Sequence, residues 1–389
     1  MSRAIEIRRV GGRHDLLTFV RFPWRVYRGD RNWVPPLVTE RLARLSSHRN
    51  PFFSYASVEL FLAWRGREPV GTIAAFVDHR SNDYRGERIG GFGFFEMVED
   101  YDVAGRLLDA ACEAVRSWGM DGIRGPTNFS DMEEPGVLID GADCPPAILE
   151  AHTPLYYHVF LERYGMERFH DNYAWRVYLP RLGPNLEGVP PDLLRVFSAA
   201  SERSDVRIRK LRLGDWESEV ALAHGLFNAT LKDLPEYAPA DAAEFHRLAD
   251  QMRPVLDPDL ALFAEADGKT VGFLVAIPDI NQVLRHLNGR LFPFGWLPML
   301  WYSRRIDVVS FKLLGILEQY RRRGLDALMY LQAVRAAAAK GYRWLDGSLT
   351  SDNNPTVVRL AERFGAERYK HYRLFQRMFQ GDAAGGRGA

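Results

Sequence analysis

The chain repeats itself once, and this limits its fold more than any single motif does. Residues 162–169 read ERYGMERF and residues 362–369 read ERFGAERY, so Glu, Arg, Gly, Glu and Arg recur while aromatics exchange with aromatics. Upstream, VGTIAAFVD at 70–78 matches VGFLVAIPD at 271–279, and IEIR at 5–8 matches VRIR at 206–209. All three pairs keep one order and a separation of about 200 residues, which chance resemblance between helix ends would not produce. A length of 389 residues is long for one core and sufficient for two. The reading is a tandem duplication: a first copy over 1–180, a linker with a helix over 181–204, a second copy over 205–380 and a disordered tail over 381–389.

Each copy shows the same order of elements. An alternating strand (Ile5 and Ile7, then Val206 and Ile208) leads into helices. In the second copy two apolar runs, 260–265 and 270–277, flank Asp267-Gly268, a strong hairpin signal. A strand over 307–317 follows, then a helix over 325–340 closed by Gly341, a strand over 342–348, a helix over 354–364 closed by Gly365, and a strand pair within 367–379. The first copy has the matching helix at 103–118, closed by Gly119, and the matching strand at 122–125. The fold class is α/β (α+β), each copy a mixed, mostly antiparallel sheet flanked by helices.

Charge and composition exclude several functions. Lys plus Arg (51) and Asp plus Glu (50) nearly cancel to +1, so no whole-molecule field would gather nucleic acid or an anionic membrane. The two cysteines, Cys112 and Cys144, form no metal-ligand spacing and suit a reducing, cytoplasmic setting; no metal is expected. The longest apolar run, LFPFGWLPMLWY at 291–302, is short of a bilayer span and reads as a buried or interfacial loop able to line a substrate pocket. Gly90-Gly91-Phe92-Gly93 lies in or before a strand, not between strand and helix, and so is no dinucleotide fingerprint.

The strongest local signal is ILEQYRRRGLDAL at 316–328, where a strand gives way to a helix. Backbone N–H groups at a helix N-terminus are unpaired and carry partial positive charge; a glycine lets a phosphate approach and arginines add charge. A pyrophosphate could be held here without a phosphate-loop lysine.

This segment resembles the pyrophosphate loop of the GNAT acetyltransferase superfamily, Gln/Arg-x-x-Gly-x-Gly/Ala, with Arg321 and Gly324 at the first and fourth positions and Asp326 departing from the sixth. The resemblance implies acetyl-coenzyme A or another acyl-coenzyme A as acyl donor, held by Ile316, Leu317, Arg321, Arg322, Arg323, Gly324, Leu325, Asp326 and Ala327. Asn354, eleven residues before Gly365, fits the superfamily pattern as well, although Asn followed by Pro355 is also an ordinary helix cap. The tyrosine that commonly protonates the departing thiolate is replaced by Ala361, which leaves Tyr369 or Tyr372 on the next strand to supply that proton. Asp346 on the preceding strand is the candidate base.

In the first copy, alignment on the helix-ending glycines puts Glu99 and Asp102 where Arg321 and Gly324 stand, within the acidic run 96–102. Carboxylates facing phosphates repel, so this copy is not expected to bind coenzyme A. It is read as a cap whose acidic wall receives a cationic amine, or as a solvated turn and nothing more. The functional expectation is an acyl-coenzyme A-dependent N-acyltransferase acting on a small-molecule amine. The alternatives are a non-catalytic duplicated binding module with a relic loop, and a tRNA-dependent peptidyltransferase, which would need a basic groove. Acceptor and oligomeric state are not readable.

Overall fold

The structure is a computed structural model and describes residues 4–130, 133–183, 187–201, 206–232, 237–291 and 295–379. The expected tail over 381–389 and parts of the expected linker lie outside the described residues. The chain packs as two compact units. Unit 1 is made of residues 1–172, 284–296 and 370–389; unit 2 is made of residues 173–283 and 297–369.

The strands are β1 (Ile5–Arg9), β2 (Ala56–Arg65), β3 (Glu68–Asp78), β4 (Ile89–Met97), β5 (Gly122–Gly125), β6 (Val137–Asp140), β7 (Glu167–Tyr178), β8 (Val206–Lys210), β9 (Ala261–Ala266), β10 (Lys269–Pro278), β11 (Val308–Ile316), β12 (Trp344–Ser351) and β13 (Glu367–Met378). In unit 1 the order is β1-β2-β3-β4-β5, followed by residues 370–378 of β13, which also pair with β6. In unit 2 it is β8-β9-β10-β11-β12, followed by β7. The duplication is visible here: β1 to β4 and β8 to β11 are joined antiparallel throughout, and β4–β5 and β11–β12 are the parallel pairs.

A parallel pair needs a crossover, and in both units it is a long helix, Tyr101–Ser117 or Leu325–Ala339. The first buries Val103, Ala104, Leu107, Leu108, Ala111, Cys112 and Val115, one face repeating every three to four residues. Both faces of each sheet are covered. In β3, Ile73 and Ala75 join one core and Ala74 and Phe76 another; in β9, Leu262 and Ala264 alternate with Ala261 and Phe263 in the same way. Leu182, which ends the short helix Leu179–Leu182, Val189, and Leu193 of the helix Pro191–Ser201 are buried in the core of unit 2.

Three expectations are corrected. The segment 367–379 is one strand, β13, and not a strand pair: ERYKHYRLFQRM contains no Gly, Pro or Asn on which a hairpin could turn. The run at 291–302 is not a buried loop. It contains the helix Trp296–Ser303, whose Trp296, Leu297, Leu300 and Trp301 are exposed; Pro298 sits in its first turn, where no intrahelical N–H is lost. In the acidic run 96–102, Glu96 and Met97 belong to β4, Tyr101 and Asp102 open the following helix, and only 98–100 form the turn. No described helix is long and apolar enough to cross a membrane, and no group of potential metal ligands is found among the described residues.

Candidate functional site

In unit 2 the parallel pairing of β11 with β12 covers Val308–Phe311 against Trp344–Gly347, yet β11 runs on to Ile316 and β12 to Ser351. The strands part beyond that point and leave an opening between them. At the same place β11 carries a bulge: Phe311 faces Ala276 and Leu313 faces Val275, so Lys312 has no partner on β10. A bulge re-aims the side chain it carries. Lys312 Nζ donates to Ser348 Oγ at 2.7 Å and lies 3.5 Å from Asp346 Oδ2.

Asp346 is fully buried and is the centre of this group. Ser310 Oγ and Ser348 Oγ both donate to its Oδ2, and the Tyr369 hydroxyl donates to Oδ1 at 3.0 Å. A carboxylate reached through Ser348 at the mouth of a strand opening is placed to accept a relayed proton. The structure therefore joins Asp346 to Tyr369 and not to Tyr372. Tyr372 belongs to unit 1, is fully buried, and donates to the Ala151 carbonyl at 3.0 Å beside the Glu150 carboxylate.

Along β11 from Lys312 the chain rises about 3.3 Å per residue, so the loop begins roughly 17 Å away. There the Leu317 N–H still bonds to the Val271 carbonyl, a one-turn 3-10 helix (Glu318–Tyr320) follows, and Arg322 (φ 63°) and Gly324 (φ 77°) turn the backbone round the N-terminus of Leu325–Ala339. Gly324 is the N-cap, and no side chain caps this helix. Its first N–H groups are presented to whatever occupies the loop.

The predicted loop residues divide by role. Arg321 donates to the Ile316 carbonyl (3.2 Å) and the Thr230 carbonyl (2.9 Å), so its guanidinium braces the loop. Arg323 lies over the Tyr320 ring at 4.9 Å. Arg322 and Asp326 are exposed, Ile316 and Leu325 are buried, and Leu317 and Ala327 are half-buried. Asn354 caps the helix Pro355–Arg363 through the Val357 N–H at 3.4 Å, a role it fills without a ligand.

Unit 1 has the same scaffold with its openings filled from within. The pairing of β4 with β5 ends at Gly91 and Arg124, and a bulge follows at Phe94 (φ 46°). The Phe94 N–H is taken by Asn128 Oδ1 at 2.8 Å. The helix Tyr101–Ser117 is capped by Asp100, which accepts from the Asp102 N–H and is paired with Arg65. One of its first amides is thus already taken by a carboxylate, whose charge would repel an anion.

Sequence reasoning missed a second polar cluster, in unit 1. Glu96, near the end of β4, is half-buried and accepts from Tyr157 (2.7 Å) and Tyr27 (3.0 Å). Burial pushes its carboxyl up to about 7 even though both hydroxyls favour the anion. Trp33 stacks on Tyr27 at 4.7 Å, and His152, within 2.8 Å of Asp30, lies beyond it. The available signal was the aromatic run 22–37, whose tyrosine and tryptophan need polar partners once buried. Because folding raises this pKa from its ordinary 4.5, the folded chain holds a proton that the unfolded chain releases. The stability it contributes is present below about pH 4.5 and is lost as pH rises toward 7. Glu96→Gln should match the parent at about pH 5 and exceed it by roughly 3 kcal/mol at about pH 8, read by denaturant unfolding. An equal difference at both pH values would exclude a neutral Glu96.

No protein-family model matches the chain. It is 31% identical over 370 residues to "Bacterial ceramide synthase" of Caulobacter vibrioides, covering 93% of this chain and 94% of that protein. It is 30% identical over 371 residues to "Protein YghO" of Escherichia coli, covering 94% and 93%. Among solved structures, a tandem GNAT protein from the clavulanic acid biosynthesis pathway superposes with a TM-score of 0.57 at 11% identity, covering 96% of this chain and 98% of the other. A GCN5-related N-acetyltransferase from Sphaerobacter thermophilus gives 0.51 at 13% identity, covering 96% and 95%.

Proposed function

The chain belongs to one family with the bacterial ceramide synthase of Caulobacter vibrioides and has the fold of the GNAT acetyltransferases, and on that premise we propose that it is an N-acyltransferase of that superfamily taking an acyl-coenzyme A as donor. Acceptance of the donor falls to the second copy, residues 205–380 in the sequence. The observation that carries this is the uncapped helix N-terminus at Gly324, placed at the end of a strand that has parted from its neighbour. The equivalent helix in unit 1 spends its amide on Asp100. The donor supplies an activated thioester and a pyrophosphate.

The chain's residues do the rest. Backbone N–H groups at 325–327 receive the phosphates, with Arg322 adding charge and Arg321 holding the loop in shape. The acceptor amine must arrive neutral; as its nitrogen bonds to the acyl carbon and the carbon–sulfur bond breaks, it loses a proton. Ser348 and Asp346 take that proton, Lys312 holds the Ser348 hydroxyl through its hydrogen bond, and the thiolate leaves to take a proton from water. For the acceptor we propose the primary amine of a long-chain amino alcohol, because a ceramide, named in the relative at 31% identity, is the amide of such an amine.

The test is direct. Full-length chain incubated with a long-chain acyl-coenzyme A and a long-chain amino alcohol should release free thiol and form amide in equal amounts. Thiol release without amide would mean hydrolysis only; neither product, across acyl lengths and amines, would leave a binding module.

A further inference from the structure

We propose that the helix Trp296–Ser303 docks the protein on an anionic lipid surface. Among the described residues nine large apolar side chains are exposed, and four of them lie on this one short helix: Trp296 (47%), Leu297 (51%), Leu300 (60%) and Trp301 (53%). Their spacing, one and four residues apart, puts them on one face. Leaving two tryptophans and two leucines in water is unfavourable unless something covers them.

The residues that follow say what covers them. Arg304 and Arg305 are exposed, and among the described residues neither forms an ion pair; the Arg305 guanidinium lies over the Trp301 ring at 3.5 Å. The next acid, Asp307, is already held by Arg343 and Gln282. Tryptophan and leucine on one face with arginine at the edge is the composition that settles at the boundary of headgroups and acyl chains, where indole N–H and guanidinium meet phosphate while the rings lie below. The helix is about 12 Å long, so it can rest in that boundary but not cross it. A second copy of the chain fits less well, since two turns of helix offer far less than the roughly 800 Å² per partner of a stable protein interface. Net charge gave no reason to expect a membrane partner, but a near-neutral chain still attracts phosphates to two adjacent arginines within a Debye length of about 8–10 Å.

Sedimentation of the full chain with lipid vesicles tests this without any substrate, so the outcome is independent of whether acyl transfer is found. With vesicles containing about one-third phosphatidylglycerol, partitioning should be at least tenfold stronger than with phosphatidylcholine alone and should weaken as salt rises. Leu300→Asp and Trp301→Ser, both at exposed positions, should each reduce it tenfold or more with the melting temperature kept. Arg304→Glu with Arg305→Glu should remove the preference for anionic lipid. A chain that stays in the supernatant with both vesicle types overturns the proposal, as does unchanged binding in the Leu300 and Trp301 variants. A concentration-dependent dimer that Leu300→Asp disperses, with vesicle binding absent, would assign the face to a second copy instead.

Discussion

With Gly324 replaced by valine, coenzyme A should bind at least about 100-fold more weakly, a loss of ~2.7 kcal/mol or more. Two effects combine. Gly324 has φ 77°, a conformation that costs a β-branched residue ~1–2 kcal/mol, so the loop would relax away from the turn that sets up the helix N-terminus. The new side chain would also stand at the N-cap, between the helix amides and an approaching phosphate. The strain alone would lower the melting temperature by a few degrees, not unfold the chain. Titration calorimetry on the folded variant reads the difference. Asp100→Ala is the control in unit 1: it removes the cap of the helix Tyr101–Ser117 and should cost about 1 kcal/mol of stability while leaving one coenzyme A site per chain at unchanged affinity. Undiminished affinity in Gly324→Val would take the loop out of donor binding.

What the sequence made legible was local. Asp267-Gly268 forms the hairpin turn expected of it, with both residues at positive φ, and the helix-ending glycines Gly119, Gly341 and Gly365 adopt the left-handed conformation for which no other residue serves as well. The loop at 316–327 could be placed because strand, glycine and helix follow one another directly in the chain. What stayed hidden depends on partners distant in sequence. The pairing of residues 370–378 with β5 and β6 is fixed by a match with strands more than two hundred residues earlier, to which no local pattern points. The bulge at Lys312 depends on the register of β10 against β11, and the alternation of one strand does not reveal where its neighbour skips a residue. Glu96 looked like one member of an acidic turn because the strand end could not be set to within two residues. Tyr369 and Tyr372 illustrate the same limit: three residues apart on one strand, they belong to different units, and only the first meets Asp346.

Asp346→Asn should lower kcat for acyl transfer by about 10²–10³-fold with little change in the KM for acyl-coenzyme A, since Asp346 lies at the inner end of the strand opening and the loop proposed to hold the donor lies at the other. Asparagine keeps the size, and its one oxygen can still accept from Ser310 and Ser348 while its NH2 faces the Tyr369 hydroxyl, but it cannot take up a proton. Lys312→Met keeps the length of the side chain at the bulge and removes its charge and its bond to Ser348; a drop of similar size is expected, again in kcat. Because both residues act through Ser348, the double variant should be only slightly worse than either single one, as groups working as a unit are. Tyr369→Phe removes one donor to Asp346 and leaves the relay in place, so a several-fold effect is expected. Coenzyme A affinity measured on each variant separates these effects from misfolding, which would remove binding and turnover together. Turnover within a few-fold of the parent in both Asp346→Asn and Lys312→Met would mean that the amine loses its proton to water, and that the strand opening contributes position without proton transfer.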